Sequence, residues 1–92
     1  MPQTTEASAK ARRKRLKFRS HHTGMKENDA LIGGFADRHL DELSDDEVAW
    51  LEALLMDNND IDLYNWMLGK EPVPAHLDHP VMHRLIDFKN AM

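Results

Sequence analysis

Nowhere in this chain do apolar and polar residues alternate long enough to make a strand. Where apolar side chains recur, they return at the three- and four-residue spacing of a helix. Breakers cut that pattern into short runs: Thr23-Gly24, Ser44 to Glu47, Asn58-Asn59, Gly69, and the pair Pro72 and Pro74. The expected fold is therefore all-α, a compact bundle of five short helices, with a disordered, flexible tail over residues 1–9 and one helical domain over residues 10–92. Helix one is placed at Lys10–His22, a basic helix whose only large apolar residues, Leu16 and Phe18, dock one narrow stripe. Helix two is placed at Lys26–Leu43. Leu31, Phe35 and His39 form one row of it, and Ile32, Ala36, Leu40 and Leu43 the adjacent row. Gly33-Gly34 inside this helix costs about 1 kcal/mol per residue against Ala, which points either to a neighbour packed close on bare backbone or to a hinge.

The remaining punctuation is equally local. Ser44-Asp45-Asp46-Glu47 has the form of a capping box, the serine accepting from an early amide while the glutamate reaches back. Helix three starts near Asp45, with Val48, Leu51, Leu54 and Leu55 inward, and stops at Asn58-Asn59. Asp60 is expected to cap helix four, which Gly69 ends. Pro72 and Pro74 enforce an extended connection. Pro80 suits the first position of helix five, after Asp78 or His79, with Val81, Leu85, Phe88 and Met92 on one face.

With 92 residues the chain supports one small core, and a domain of this size hides roughly 60–65% of its unfolded surface. The absence of cysteine excludes disulfides, thiolate metal sites and a cysteine nucleophile. No apolar run approaches the ~18–20 residues of a membrane span, and the charged N-terminus has no apolar core of a secretory signal. A cytoplasmic setting, with no membrane contact, is expected. The net charge of −4 conceals two halves: residues 1–27 carry eight Lys or Arg against two Glu, and residues 28–92 carry four against fourteen Asp or Glu. A basic head on an acidic body points to a charged partner.

Catalysis is poorly supplied. The acidic residues cluster at helix starts, where capping explains them. Ser8, Ser20 and Ser44 form no nucleophile elbow, and the glycines form no phosphate loop. His79 and His83, four apart on helix five with His76 and Asp78 nearby, are the best metal candidates, set against a plain solvated face. His21-His22 suits a helix C-terminus and an interface alike. Trp50, Tyr64 and Trp66 read as core or half-buried rings, or else as interface anchors. The basic helix leaves three readings open: a nucleic-acid contact through Lys10, Arg12, Arg13, Lys14, Arg15, Lys17 and Arg19, a protein partner, or a solvated face.

Six segments occur in order: RKRLKFRSHHTGMKEND (13–29), GFADRHL (34–40), LSDDE (43–47), LEALL (51–55), DIDLYNW (60–66) and GKEPVP (69–74). Together they resemble the small bacterial succinate dehydrogenase assembly factors, relatives of the mitochondrial succinate dehydrogenase assembly factor 2, from about Arg13 to Phe88. The resemblance implies a five-helix bundle. It also implies a chaperone, not an enzyme, that binds the flavoprotein subunit of succinate dehydrogenase or fumarate reductase and promotes covalent attachment of FAD to a histidine there. FAD would belong to the partner, with no cofactor bound tightly by this chain, no metal and no small-molecule substrate. No nucleic-acid partner is expected and the free protein is expected to be a monomer. A nucleic-acid-associated or toxin–antitoxin-type regulator using the basic first helix is the alternative. The family signature Arg-Gly-x-x-Glu falls on Thr23-Gly24-Met25-Lys26-Glu27. Gly24 and Glu27 match, and the resemblance implies that they carry the partner contact. Thr23 stands in place of the arginine, losing a five-donor fork, and Arg19, His22 and Lys26 are the neighbouring cations. Arg15, Phe18 and Arg19 extend the expected surface along helix one.

Overall fold

The computed structural model describes residues 5–92, with side chains from Ser8 onward. Five α-helices follow one another: α1 (Thr5–His21), α2 (Lys26–His39), α3 (Asp45–Asp57), α4 (Asp60–Met67) and α5 (Pro80–Asn90). Short 3-10 turns lie at Leu40–Glu42 and Ala75–Leu77, and no strand occurs among the described residues. Part of the expected tail, residues 1–4, lies outside the described residues; Thr5 to Ala9 open α1.

The local signals act as the chemistry requires. Ser44 and Glu47 form the reciprocal capping box, with Ser44 Oγ accepting from the Glu47 amide at 3.1 Å and Glu47 Oε1 from the Ser44 amide at 2.8 Å. The cap of α4 is Asn59 and not Asp60: its Oδ1 accepts from the Asp62 amide at 2.8 Å, which leaves the Asp60 carboxylate for another bond. At α5 the choice falls on His79, whose Nδ1 accepts from the Val81 amide at 3.0 Å, with Pro80 at the first helical position. Gly69, just past the end of α4, has φ +74°, a left-handed conformation that glycine adopts without a Cβ penalty.

Helix α2 is the spine, packing on α1, α4 and α5, while α3 bridges α1 and α5. Ile32, Phe35, Leu51 and Val81 are fully buried at its centre. Of the two expected rows of α2 every member but His39 is in the core; His39 is half-buried and turns to Glu42. The last apolar residues leave the α-helix: Leu40 opens a 3-10 turn and Leu43 follows it in extended conformation, both buried. The Gly33-Gly34 pair answers to close packing. A Cβ on Gly33 would press into the His21 ring at the end of α1, and one on Gly34 would crowd the Phe88 ring of α5.

Three apolar expectations change. Phe18 is 66% exposed and does not dock with Leu16; the buried partner of Leu16 on α1 is Ser20, whose hydroxyl donates to the Leu16 carbonyl at 2.8 Å. A residue two positions after Leu16 lies about 200° around the helix, on the opposite side. Met92 lies beyond the end of α5 and is 72% exposed, and Leu55 is half-buried. Among the described residues no helix is long and apolar enough to cross a membrane.

Candidate functional site

Helix α1 spends its cations unequally. Arg12 donates to Glu52 of α3 at 2.6 Å, Arg13 reaches the Leu40 carbonyl at 2.7 Å and Asp45 at 3.1 Å, and Lys17 pairs with Asp37 at 3.6 Å. His21 meets the same Asp37 at 2.9 Å. Its hydrogen bond is the main reason the Asp37 carboxyl titrates below the ordinary range, with Lys17 adding to it. These residues face the bundle. Arg15, Phe18, Arg19 and His22 follow the three- and four-residue spacing of a single helix face. They point outward, and among the described residues neither Arg15 nor Arg19 forms an ion pair. Phe18 stacks on His22 with ring centroids 4.0 Å apart and planes 14° apart, and the His22 Nδ1–H donates to the Phe18 carbonyl at 2.7 Å.

This face forms one wall of an open groove of about 900 Å³. Thr23 and Gly24 continue the wall into the turn before α2. The opposite wall is the α3–α4 corner, with Glu52, Leu55, Met56, Asn58, Asn59 and Asp60. Six of the nine residues expected at the contact thus share one groove. Met25, Lys26 and Glu27 are outside its lining: Met25 is the half-buried residue before α2, and Lys26 and Glu27 are exposed on the first turn of that helix.

The turn is held from both sides. Asp60 Oδ2 accepts from the Gly24 amide at 2.8 Å, and the Asp60 backbone carbonyl accepts from the side-chain amide of fully buried Asn28 at 2.9 Å. A Cβ on Gly24 would collide with the Asp60 carboxylate. The glycine therefore makes room for an approach from within the chain, since a side chain here would displace the Asp60 carboxylate, and its φ is not in the left-handed region. Thr23 has local work of its own. Its hydroxyl donates to Asp29 Oδ1 at 2.6 Å and accepts from the Met25 amide at 3.2 Å, while its backbone N–H donates to the same Asp29 oxygen at 2.6 Å. The hydroxyl bond, then the backbone bond, with His22 and His21 nearby, hold the Asp29 carboxyl below the ordinary range.

Sequence reading missed the α3–α4 wall. Met56 is 66% exposed on α3, and Ile61, on the first turn of α4, is exposed to a similar degree. Their signal was available as large apolar residues off the core rows of α3 and α4. Asn28, which nothing in the sequence singles out, is buried, and its Oδ1 has no hydrogen-bond partner among the described residues. Of the histidines at α5, His79 caps the helix and stacks on Trp50 with centroids 4.3 Å apart, and His83 pairs with Asp78 within the same cluster. Trp66 is buried, and half-buried Tyr64 lies under the Lys70 ammonium at 5.2 Å.

A second groove, about 520 Å³, lies at the α2–α5 end and includes Phe35, His39, Arg84 and Phe88. Here the polar groups hold one another. Arg84 and His39 both reach Glu42 Oε1, at 2.7 and 3.2 Å, and these two bonds, His39 first, lower the Glu42 carboxyl below its ordinary range.

Comparison with known proteins adds two kinds of match. The family model described as the flavinator of succinate dehydrogenase, Sdh5, matches residues 14–89. The chain is 37% identical over 82 residues to the FAD assembly factor SdhE of Acetobacter pasteurianus, covering 89% of this chain and 74% of that protein. It is 36% identical over 75 residues to the mitochondrial succinate dehydrogenase assembly factor 2 of Drosophila grimshawi, covering 80% of this chain and 51% of the relative. Against the corresponding protein of Aedes aegypti the identity is 37% over 79 residues, with 84% and 49% covered. The chain spans about half the length of these mitochondrial relatives.

Proposed function

The chain belongs to the Sdh5 family of succinate dehydrogenase flavinators, and from that premise we propose that it binds the flavoprotein subunit of succinate dehydrogenase and promotes covalent attachment of FAD to a histidine of that subunit. The observation that carries this reading is the outward face of α1. Among the described residues Arg15 and Arg19 have no ion pair, and with exposed Phe18 they stand beside a turn whose Gly24 amide is held by Asp60. A solvent-exposed ring beside unpaired guanidinium groups is what a protein interface uses as an anchor. Gly24 and exposed Glu27 flank that face, with Glu27 free to accept hydrogen bonds from an amide-rich or basic patch.

The chain acts as an assembly chaperone and leaves the covalent chemistry to the partner's own site. The bundle docks on the immature flavoprotein and favours the conformer of its mobile capping domain in which flavin and histidine meet. That requires tighter binding to this conformer than to the mature one, because equal affinity for both shifts nothing. It departs when the iron–sulfur subunit arrives. FAD stays with the partner. Fumarate reductase is a second client, the free protein is a monomer, and the setting is cytoplasmic. A nucleic-acid role is disfavoured because Arg12, Arg13 and Lys17 are drawn onto Glu52, Asp45 and Asp37 of the same chain, which reduces the phosphates that α1 can neutralise.

Deleting the gene in its host and measuring the in-gel fluorescence of covalently bound flavin tests the proposal. Loss of the flavoprotein band's fluorescence, with recovery on re-expression, is expected; an unchanged band overturns it.

A further inference from the structure

Resting on that reading, we infer that the groove between α1 and the α3–α4 corner receives a segment of the flavoprotein subunit in which a large apolar side chain is flanked by carboxylates. The charges in the groove select the sign of the occupant. Two carboxylates line it: Glu52 is neutralised by Arg12 at 2.6 Å, while Asp60, whose Oδ2 accepts from the Gly24 amide at 2.8 Å, keeps its single negative charge. The two guanidinium groups in it, Arg15 and Arg19, have no ion pair among the described residues. Two guanidinium groups against the one carboxylate charge of Asp60 leave the groove positive, although the chain as a whole carries −4. A planar guanidinium grips a carboxylate through two parallel N–H donors.

The apolar half of the argument comes from both walls. Phe18 and Met56 are each 66% exposed, one on α1 and the other on α3. Half-buried Leu55 and buried Leu16 lie between them in the same lining. A thioether adapts to an irregular apolar partner, and an aromatic ring opposite it supplies rigid contact area. The groove runs directly into Thr23 and Gly24, so a partner seated on that turn reaches it without a break. The α3–α4 corner then becomes the second wall of the docking site.

The test titrates purified flavoprotein subunit against the full chain. Arg19→Glu and Met56→Glu are each expected to weaken binding about tenfold or more, with thermal midpoints unchanged. Met56→Leu, which keeps an apolar wall, should restore affinity, and Met92→Glu at the far end of the chain should leave it unchanged. Affinity should fall with added salt, less steeply in Arg19→Gln. A photocrosslinker at position 56 should mark a flavoprotein peptide bearing Asp or Glu beside a large apolar residue. If the wild-type chain binds and Arg19→Glu and Met56→Glu bind equally well, the groove is not the site, while the assembly role stands. Crosslinking to a second copy of this chain, or affinity for RNA or DNA lost in Arg19→Glu, reassigns the groove and overturns the inference. If the wild-type chain does not bind the subunit, both readings fall together.

Discussion

At the α2–α5 end Arg84 reaches Glu42 at 2.7 Å and lies over the Phe35 ring at 5.8 Å, and His39 closes on the same glutamate. Along α1, Arg15 and Arg19 have no such carboxylate among the described residues, and the ring beside them stacks on His22. Both grooves use arginine, histidine and phenylalanine, yet Phe35 is fully buried and Phe18 is 66% exposed. Composition does not separate a structural surface from a docking surface. The separation comes from whether each charge and each ring already has a partner within the chain, since a paired charge is costly to pull away and an unpaired one is ready for association.

The largest effect that distinguishes the two ends is on stability. Phe35→Ala should cost about 3–5 kcal/mol, the cavity and transfer loss of a core ring, whereas Phe18→Ala should stay within about 0.5 kcal/mol. Urea denaturation of both variants measures this, and a comparable loss for Phe18→Ala would erase the contrast.

A smaller effect concerns the hold on the turn between α1 and α2. Asp60→Ala removes the acceptor of the Gly24 amide and should cost about 1 kcal/mol, with faster hydrogen exchange at that amide. Gly24→Ala displaces the same carboxylate, so the two substitutions should be strongly non-additive. Additive losses in the double variant would mean that the turn does not depend on Asp60.

The smallest is a pH effect at the α2–α5 end. Glu42 titrates below its ordinary range because His39 and Arg84 hold its charged form. A carboxyl depressed in the folded state stabilises above its unfolded pKa, and this contribution disappears as pH falls through the folded value. The wild-type advantage over Glu42→Gln should therefore be present at neutral pH and vanish in acid. Denaturation midpoints at the two pH values check it, and an advantage that persists in acid would assign the stabilisation to packing.

Much of the fold was legible because its signals act over a few residues. Ser44 and Glu47 are three apart, as are Asn59 and Asp62, and the buried rows of α2 follow from helical spacing. Errors arose where two local readings competed. Asp60 is as good a cap as Asn59 by composition; in the folded chain Asn59 caps α4 and Asp60 accepts from Gly24 instead. Phe18 was assigned inward because it is apolar, although its position relative to Leu16 turns it away. Half of the candidate site was visible as the basic, glycine-ended first helix. Its other wall was not, because Met56 and Asp60 reach the groove from segments more than thirty residues later.

By itself the sequence determined five helices, the Ser44–Glu47 capping box and an opposition between a basic head and an acidic body, since all three depend on neighbours along the chain or on counting charge. Tertiary structure decided which cations of α1 are spent and which remain, and why position 24 has no side chain. Those outcomes depend on Glu52, Asp45 and Asp60, which lie 32 to 40 residues away in sequence and come within hydrogen-bonding distance only after the helices have packed.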